Sequence, residues 1–454
     1  MPANMTFENL EAAVAAGEID TVLTCVPDMQ GRLMGKRFHA EHFVNSAHEE
    51  THGCNYLLAT DMDMYTVPGY KATSWKTGYG DYVHKPDLAT LRRVPWLPGT
   101  AMVMCDVLDH HTHEEVPHAP RTVLKRQIAR ARELGYEPMF ATELEFFLFE
   151  RTFNELCDDG YTNLQTVGRH NLDYAIMGTT KEEDVLRAIR NGLHGAGVPV
   201  ENSKGEAEIG QEEINVRYSD ALDTADNHSI VKNGCKEIAH LHGRSVTFMA
   251  KYATDRAGSS SHVHQSLWKD GKPAFLDESA EHGMSKIMRH YVAGLLEHAS
   301  EVTYFLAPYV NSYKRFCVGM FAPTKAVWST DNRTAGYRVC GADTKGVRVE
   351  CRVGGADLNP YLAMAAQLAA GLDGMERELE LEPELTGDMY SAEGIREVPK
   401  TLRAAAEAMQ GSEMLRAAFG DEVIDHYHHA AQWEISEQDR VVTDWDLKRG
   451  FERA

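Results

Sequence analysis

No window of this chain reaches the roughly 18 uninterrupted apolar residues that a membrane-crossing helix needs. The first 22 residues carry scattered acids and no continuous apolar stretch, which argues against a secretory leader and for a soluble, cytoplasmic protein. Paired cysteine motifs are missing as well. Cys25, Cys54, Cys105, Cys157, Cys235, Cys317, Cys340 and Cys351 fall at irregular spacings with no C-x-x-C, the pattern of reduced thiols rather than of a disulfide framework. Positive charge is scarce: 46 Lys and Arg stand against 68 Asp and Glu, a net charge of −22, which argues against a nucleic-acid partner or an anionic membrane surface. Internal repeats and low-complexity segments are absent too. At 454 residues the chain can bury a large core and divide into at least two domains.

What is present is a series of charged positions on segments that otherwise look like buried strands. Residues 142–149, Thr-Glu-Leu-Glu-Phe-Phe-Leu-Phe, are the clearest. Alternation puts Glu143 and Glu145 on one face, about 7 Å apart, which is costly on a buried strand unless cations sit between them. A strand with one solvated face is the rival reading.

Before that strand, residues 7–16 predict a helix and 21–26 a strand, with further extended structure at 91–96 and 101–107. A loop-rich stretch between them sets Asp61, Asp63 and Asp81 among Tyr65, Tyr70, Trp75 and Tyr79, acids and aromatics that suit a cation. His110-His111-Thr112-His113 reads as a solvated loop. Pro120 opens a helix expected to face Leu124, Ile128, Ala131 and Leu134 inward.

After it, Thr180 and Glu183 predict a capping box, and a run of five acids over 201–215 offers Glu206 and Glu213 as the inward pair. Residues 224–242 predict a helix and 245–251 a strand. Small residues at 257–261 free backbone N–H groups for an anion, and His262-x-His264 places both imidazoles on one strand face, unless that strand is simply exposed. The loop from Asn311 to Pro323 is long enough to be a lid. Asn332, Arg333 and Arg338 are expected on a strand, and Arg348-Val349-Glu350-Cys351-Arg352 alternates charge in a way that, alone, reads as a solvent face. Asn359-Pro360 starts a packed helix, and the tail from 397 is helical, with His426 to His429 expected exposed.

Six blocks in this order resemble the glutamine synthetase family. They are Glu143-x-Glu145-Phe-Phe, Glu206 with Gly210-Gln211-x-Glu213, Gly258-Ser259-x-x-His262-x-His264-x-Ser266-Leu267, Asn311-Ser312-Tyr313-Lys314-Arg315, Asn332-Arg333 with Arg338, and Arg348-x-Glu350-x-Arg352 with Asn359-Pro360-Tyr361. The resemblance implies an α+β protein with an N-terminal β-grasp domain over 1–115 and a catalytic domain over 116–454 on a curved antiparallel sheet. It also implies a homo-oligomer, a dodecamer of two stacked hexameric rings with active sites between subunits. By motif, Glu145, Glu206 and Glu213 would hold one metal and Glu143, His262 and Glu350 a second. Oxygen and imidazole donors without thiolate suit a hard ion, Mg²⁺ or Mn²⁺. ATP would meet His264, Ser266, Arg333, Arg338 and Arg348; glutamate would meet Gly258, Arg315 and Arg352. Arg315, Arg333 and Arg338, with Asp61 and Asp63, would serve the chemistry: phosphoryl transfer to the glutamate γ-carboxylate, then displacement by an amine.

The chain departs from the ammonia-using pattern at the lid. Gly319-Met320-Phe321-Ala322-Pro323 puts Phe321 where those relatives carry a Glu that helps bind ammonium. A phenyl ring packs on hydrocarbon instead. Their Asp-Gly-Ser-Ser segment is also missing, leaving Asp61, Asp63 or Asp81 as substitutes, and Ala257 replaces an Asn. The expectation is an ATP-dependent ligase joining L-glutamate to a primary amine, with small alkylamines or ethanolamine favoured over polyamines. Alternatives are an ordinary glutamine synthetase, a non-catalytic relative, and a kinase that stops after phosphoryl transfer.

Overall fold

Two sheets carry the architecture, described over residues 5–317 and 319–454 of a computed structural model. The first four residues of the N-terminal stretch and Val318 of the candidate lid lie outside the described residues. The first sheet contains β1 (Thr21–Pro27), β2 (Leu33–His39), β3 (Thr51–Cys54), β4 (Asp81–Pro86), β5 (Arg92–Arg93) and β6 (Thr100–Asp109). Its order is β2-β1-β6-β4-β3 with β5 on β6, and β1 and β6 run parallel at its centre. The β1–β2 turn is set by Asp28, whose carboxylate accepts the backbone N–H groups of Gln30 and Arg32 at 2.9 Å each. Gly31 in that turn adopts a φ of 79°, open to a residue without a Cβ.

The second sheet contains β7 (Glu137–Phe149), β8 (Val200–Gly205), β9 (Gln211–Val216), β10 (Ser219–Asp220), β11 (Ser245–Thr247), β12 (Ser261–Lys269), β13 (Lys272–Pro273), β14 (Trp328–Thr330), β15 (Tyr337–Cys340) and β16 (Arg348–Cys351). Its main path is β14-β15-β16-β12-β7-β9-β8, antiparallel except for β14 on β15. β7 is the pivot, with β12 and then β11 along one edge and β10 and β9 along the other, Phe147 pairing with both β9 and β11. Leu144, Phe146 and Leu148 leave one face of β7 and bury with Ile214 against Leu186, Ile189 and Leu193 of the helix Glu183–Gly195 and Ile238 of the helix Ala221–Leu241. Each such side chain contributes about 1.5–3 kcal/mol, so this face cannot turn outward. Glu143 and Glu145 are thereby committed to the opposite face.

The helix Pro360–Glu376 runs through the core. Asn359 caps it by accepting the Tyr361 N–H at 3.1 Å, and Gly374 packs so closely on the helix Lys286–Glu297 that a Cβ would come within 2.6 Å of the Gly294 Cα. The small sheet is pinned to this body through Arg121, which donates to Asp106 at 2.5 Å, Asp87 at 2.7 Å and Asp226 at 3.1 Å. Tyr361 completes the knot with a 2.7 Å bond to Asp226.

Several local expectations are corrected. Thr180 makes no capping box: it ends the short helix Ile176–Thr180, its hydroxyl donating to the Ile176 carbonyl at 2.8 Å, while Glu183 pairs with Arg190. Leu134 lies just past the end of its helix and is exposed. Only Arg92–Arg93 of the 91–96 stretch pairs as a strand, β11 stops at Thr247, and Asn332-Arg333 form the turn before β15. His426 is buried: its ring stacks on His118 at 4.1 Å and its Nε2 bonds the Leu58 carbonyl at 2.8 Å. The alternating charges of β16 do not face solvent, since Glu350 is fully buried.

Candidate active site

Strand register assembles the site. Across three strands, β9, β7 and β12 set Asn215, Glu143 and His262 abreast; one step along, Glu213 lies beside Glu145. On the other side of β12, His264, Glu350 and Arg338 line up over β12, β16 and β15. A slip of one residue in any of these pairings would send half of the charged groups through the sheet.

Two groups of ligand-type atoms result, each with its members within 4.8 Å of one another: Glu145 with Glu206 and Glu213, and Glu143 with His262 and Glu350. In the first, Glu145 accepts the Ser260 N–H at 2.7 Å and the Gln211 amide at 3.2 Å, and Glu213 accepts the Asn215 amide at 2.9 Å. Burial, then Glu143, Glu206 and Glu145 nearby, pushes the Glu213 carboxyl up to about 8, and burial also raises Glu145. In the second, His262 Nδ1 lies 3.0 Å from Glu143 and 3.4 Å from Glu350. Burial opposes charge on both acids, yet the imidazoles outweigh it: hydrogen bonds from His262 and His264 hold Glu143 far below the usual carboxylate range, and His262, His264 and Arg352 lower Glu350 to about 2.

The tautomer of His264 follows from its donors. Arg348 Nε, which can only donate, sits 3.1 Å from His264 Nδ1, so that nitrogen accepts and Nε2–H donates to Glu143 at 3.0 Å. A cleft of about 1060 Å³ opens on this face, lined by Glu143, His264, Ser266, Arg348, Tyr218 and Trp268, the last two with rings 5.9 Å apart. Ser266 accepts the Trp268 indole N–H at 3.2 Å.

The arginines surround the same groups. Arg338 donates to Glu350 at 3.1 Å and also pairs with Asp331; Arg352 pairs with Glu350 and with the Arg333 carbonyl, while the Arg333 side chain is exposed. Arg315 is fully buried, donating to the Val353 carbonyl at 2.8 Å and the Arg352 carbonyl at 3.3 Å. Gly258 packs on it: a Cβ there would fall 2.4 Å from the Ala250 oxygen and 2.7 Å from Arg315 Cγ.

Not every expected residue joins. Within one chain, no hydrogen bond or ion pair among the described residues links Asp61, Asp63 or Asp81 to the two groups. Asp61 instead accepts the N–H groups of Asp63 and Tyr65 and the Trp433 indole at 3.2 Å, and Asp63 and Asp81 are exposed. Phe321 is 61% exposed and holds a φ of 57°, a strained conformation for an aromatic residue. Conversely, the sequence assigned no role to Gln211, though it lies in a family motif, or to Asn215, both of which share the face of Glu213 at two-residue spacing, or to Lys204, which binds Glu206 at 2.5 Å. It also overlooked Cys340, whose thiol lies 3.5 Å from Glu350. His264, Cys340 and Glu350 form a third group of possible ligands, but Arg348 and Arg338 already occupy its nitrogen and oxygen, and burial with Glu350 pushes the thiol up to about 12.

Residues 117–450 match the family model for the glutamine synthetase catalytic domain. The chain is 48% identical to the gamma-glutamylethanolamide synthetase GlnA4 of Streptomyces coelicolor over 448 residues, covering 98% of this chain and 96% of that protein. It is 36% identical to a glutamate–isopropylamine ligase of a Pseudomonas species, covering 95% of each. Among solved structures, apo GmaS superposes with a TM-score of 0.85 at 28% identity over 98% of this chain and 99% of that one.

Proposed function

We propose, proceeding from the fact that this chain belongs to the glutamine synthetase family, that it joins L-glutamate to a small primary amine at the expense of ATP, with ethanolamine or a short alkylamine as acceptor. The observation that carries the ligase reading is the register that brings five glutamates and one histidine into two adjacent groups beside the cleft. The donor chemistry fits hard divalent ions: carboxylate oxygens and one imidazole, spaced so that modest closure reaches octahedral separations, with like-charge crowding at Glu213 that a cation would relieve. Glu145, Glu206 and Glu213 would hold one Mg²⁺ or Mn²⁺, and Glu143, His262 and Glu350 the other. Bound there, the ions would neutralise charge on the phosphoryl group in transfer.

The chain's own groups do the rest. Arg348, fixed by His264, lines the cleft with His264 and Ser266 on the nucleotide side, and Arg338, held by Glu350, would join it and Arg333 on the phosphate oxygens. Arg315 and Arg352, with Gly258, form the glutamate end, where a planar guanidinium suits a carboxylate. The γ-carboxylate attacks the γ-phosphorus, ADP leaves, and the neutral amine then displaces phosphate from γ-glutamyl phosphate. Phe321 favours an acceptor with a hydrocarbon arm, as do the names of the two relatives.

The oligomeric reading remains two stacked hexameric rings with shared sites, the 1–115 portion supplying Asp61, Asp63 and Asp81 to a neighbouring copy's amine pocket. It is supported by the exposed Val441, Val442, Trp445, Leu447 and Phe451 near the C-terminus, an apolar surface suited to a second copy. No described helix is long and apolar enough to cross a membrane, which accords with a cytoplasmic site of action. An acceptor panel of ethanolamine, isopropylamine, methylamine, putrescine and ammonia, read by product mass, tests the proposal. Ethanolamine or an alkylamine should exceed ammonia at least tenfold in kcat/KM; ammonia as best acceptor would contradict it.

A further inference from the structure

A lysine already sits among the glutamates proposed to hold the first ion. Lys204 on β8 is the cross-strand neighbour of Glu213 on β9, and its Nζ lies 2.5 Å from Glu206 Oε1. Two other features cradle the same ammonium: Asp173 at 3.5 Å, and the Tyr174 ring, whose centroid is 4.2 Å away. The side chain is only 16% exposed. A flexible ammonium with one berth on a ligand and a second beside it has somewhere to go when that ligand is taken.

We propose that Lys204 is the resident counter-ion of the Glu145, Glu206 and Glu213 group, and that it sets the group's affinity for a divalent ion by competing with that ion for Glu206. The inference rests on the metal-site reading above. Without an ion, three crowded carboxylates need positive charge, and Lys204 supplies one unit of it. An ion that takes Glu206 Oε1 must dislodge the ammonium, which keeps Asp173 and the Tyr174 face. Lys204 is thus a positioning residue that keeps the group assembled while empty and weakens its hold on metal, so the ion can exchange.

Mn²⁺ titration of the full-length protein, with free Mn²⁺ read by electron paramagnetic resonance, tests this alongside the melting temperature of the metal-free protein. Lys204→Met should bind Mn²⁺ about tenfold more tightly and melt roughly 2 °C lower when metal-free. Lys204→Arg should restore the metal-free melting temperature. Unchanged or weaker Mn²⁺ binding by Lys204→Met would overturn the proposal, because a lysine that merely props up the strand would help the ion rather than compete with it. If that variant does not fold, Asp173→Asn carries the test: loss of the second berth should weaken Mn²⁺ binding about threefold, and unchanged binding overturns the proposal. Failure of the wild-type protein itself to bind Mn²⁺ would instead remove the metal-site reading on which the inference stands.

Discussion

Two of the acidic clusters among the described residues are built on opposite plans. Around Arg121, the carboxylates of Asp87, Asp106 and Asp226 share one guanidinium, Lys125 adds a second cation to Asp106, and Tyr361 donates to Asp226. That cluster carries its own positive charge and ties the small sheet to the body of the protein. On the sheet face, the one ion pair made by Glu145, Glu206 and Glu213 among the described residues is that of Glu206 with Lys204, with His262 and Arg315 acting on Glu145 at longer range, and Glu213 is pushed up to about 8 by burial and its acidic neighbours. Charge balanced from within marks a structural knot. Charge left for something else to balance marks a site built to receive cations.

The sharpest way to break this contrast is to remove the internal cation. Arg121→Met should cost about 3–5 kcal/mol of stability in urea unfolding, since three carboxylates lose their partner, while the activity of molecules still folded at low temperature stays near normal. Glu213→Gln should do the reverse. Its Asn215 bond can persist and a repulsive charge is gone, so stability in the absence of metal should hold or rise, while kcat/KM falls about a hundredfold or more. Phe321→Glu leaves both clusters intact and should shift the ammonia-to-ethanolamine preference about tenfold toward ammonia, as read in a two-acceptor competition.

The smallest effect concerns a third, self-balanced group. His298 lies between Asp373 at 2.7 Å and Glu301 at 3.1 Å; burial lowers its pKa, but the hydrogen bonds to both acids outweigh it and leave the imidazolium favoured. Its folded pKa is above its unfolded value, so its contribution is fully present below about pH 6.5 and is lost as pH rises through the folded pKa. His298→Gln should flatten the fall in melting temperature as pH rises through that window, followed by thermal unfolding across it.

Much of this was legible in the chain because period-two alternation is local. Glu143 and Glu145 share a face with no tertiary information needed, as do His262 and His264, and the apolar partners Leu144 and Phe146 show which face is closed. What alternation cannot supply is pairing. That Glu350 comes to lie opposite His264, and Arg338 opposite Glu350, depends on register between strands separated by long stretches of chain, and only the family motifs pointed to it. Lys204 was hidden because a single cation in an acidic run looks like solvent-facing relief until its cradle is seen. His426 misled in the opposite direction: polar neighbours suggested exposure, but its helix face packs under Tyr70 and His118. Asp61 and Asp63 illustrate a different limit: the contacts of a single chain tie Asp61 to Tyr65 and Trp433 and link neither acid to the two ligand groups, so the amine-pocket role proposed for them has to be tested in the assembled protein.

Crystals of the protein soaked with Mn²⁺ and a non-hydrolysable ATP analogue, with data collected at the manganese edge, put the central claim to its most direct trial. Two anomalous peaks are expected, one among Glu145, Glu206 and Glu213 and one among Glu143, His262 and Glu350, with none at the Arg121 cluster. A map in which the sheet-face glutamates stand apart without a peak between them, nucleotide analogue bound, would contradict the account.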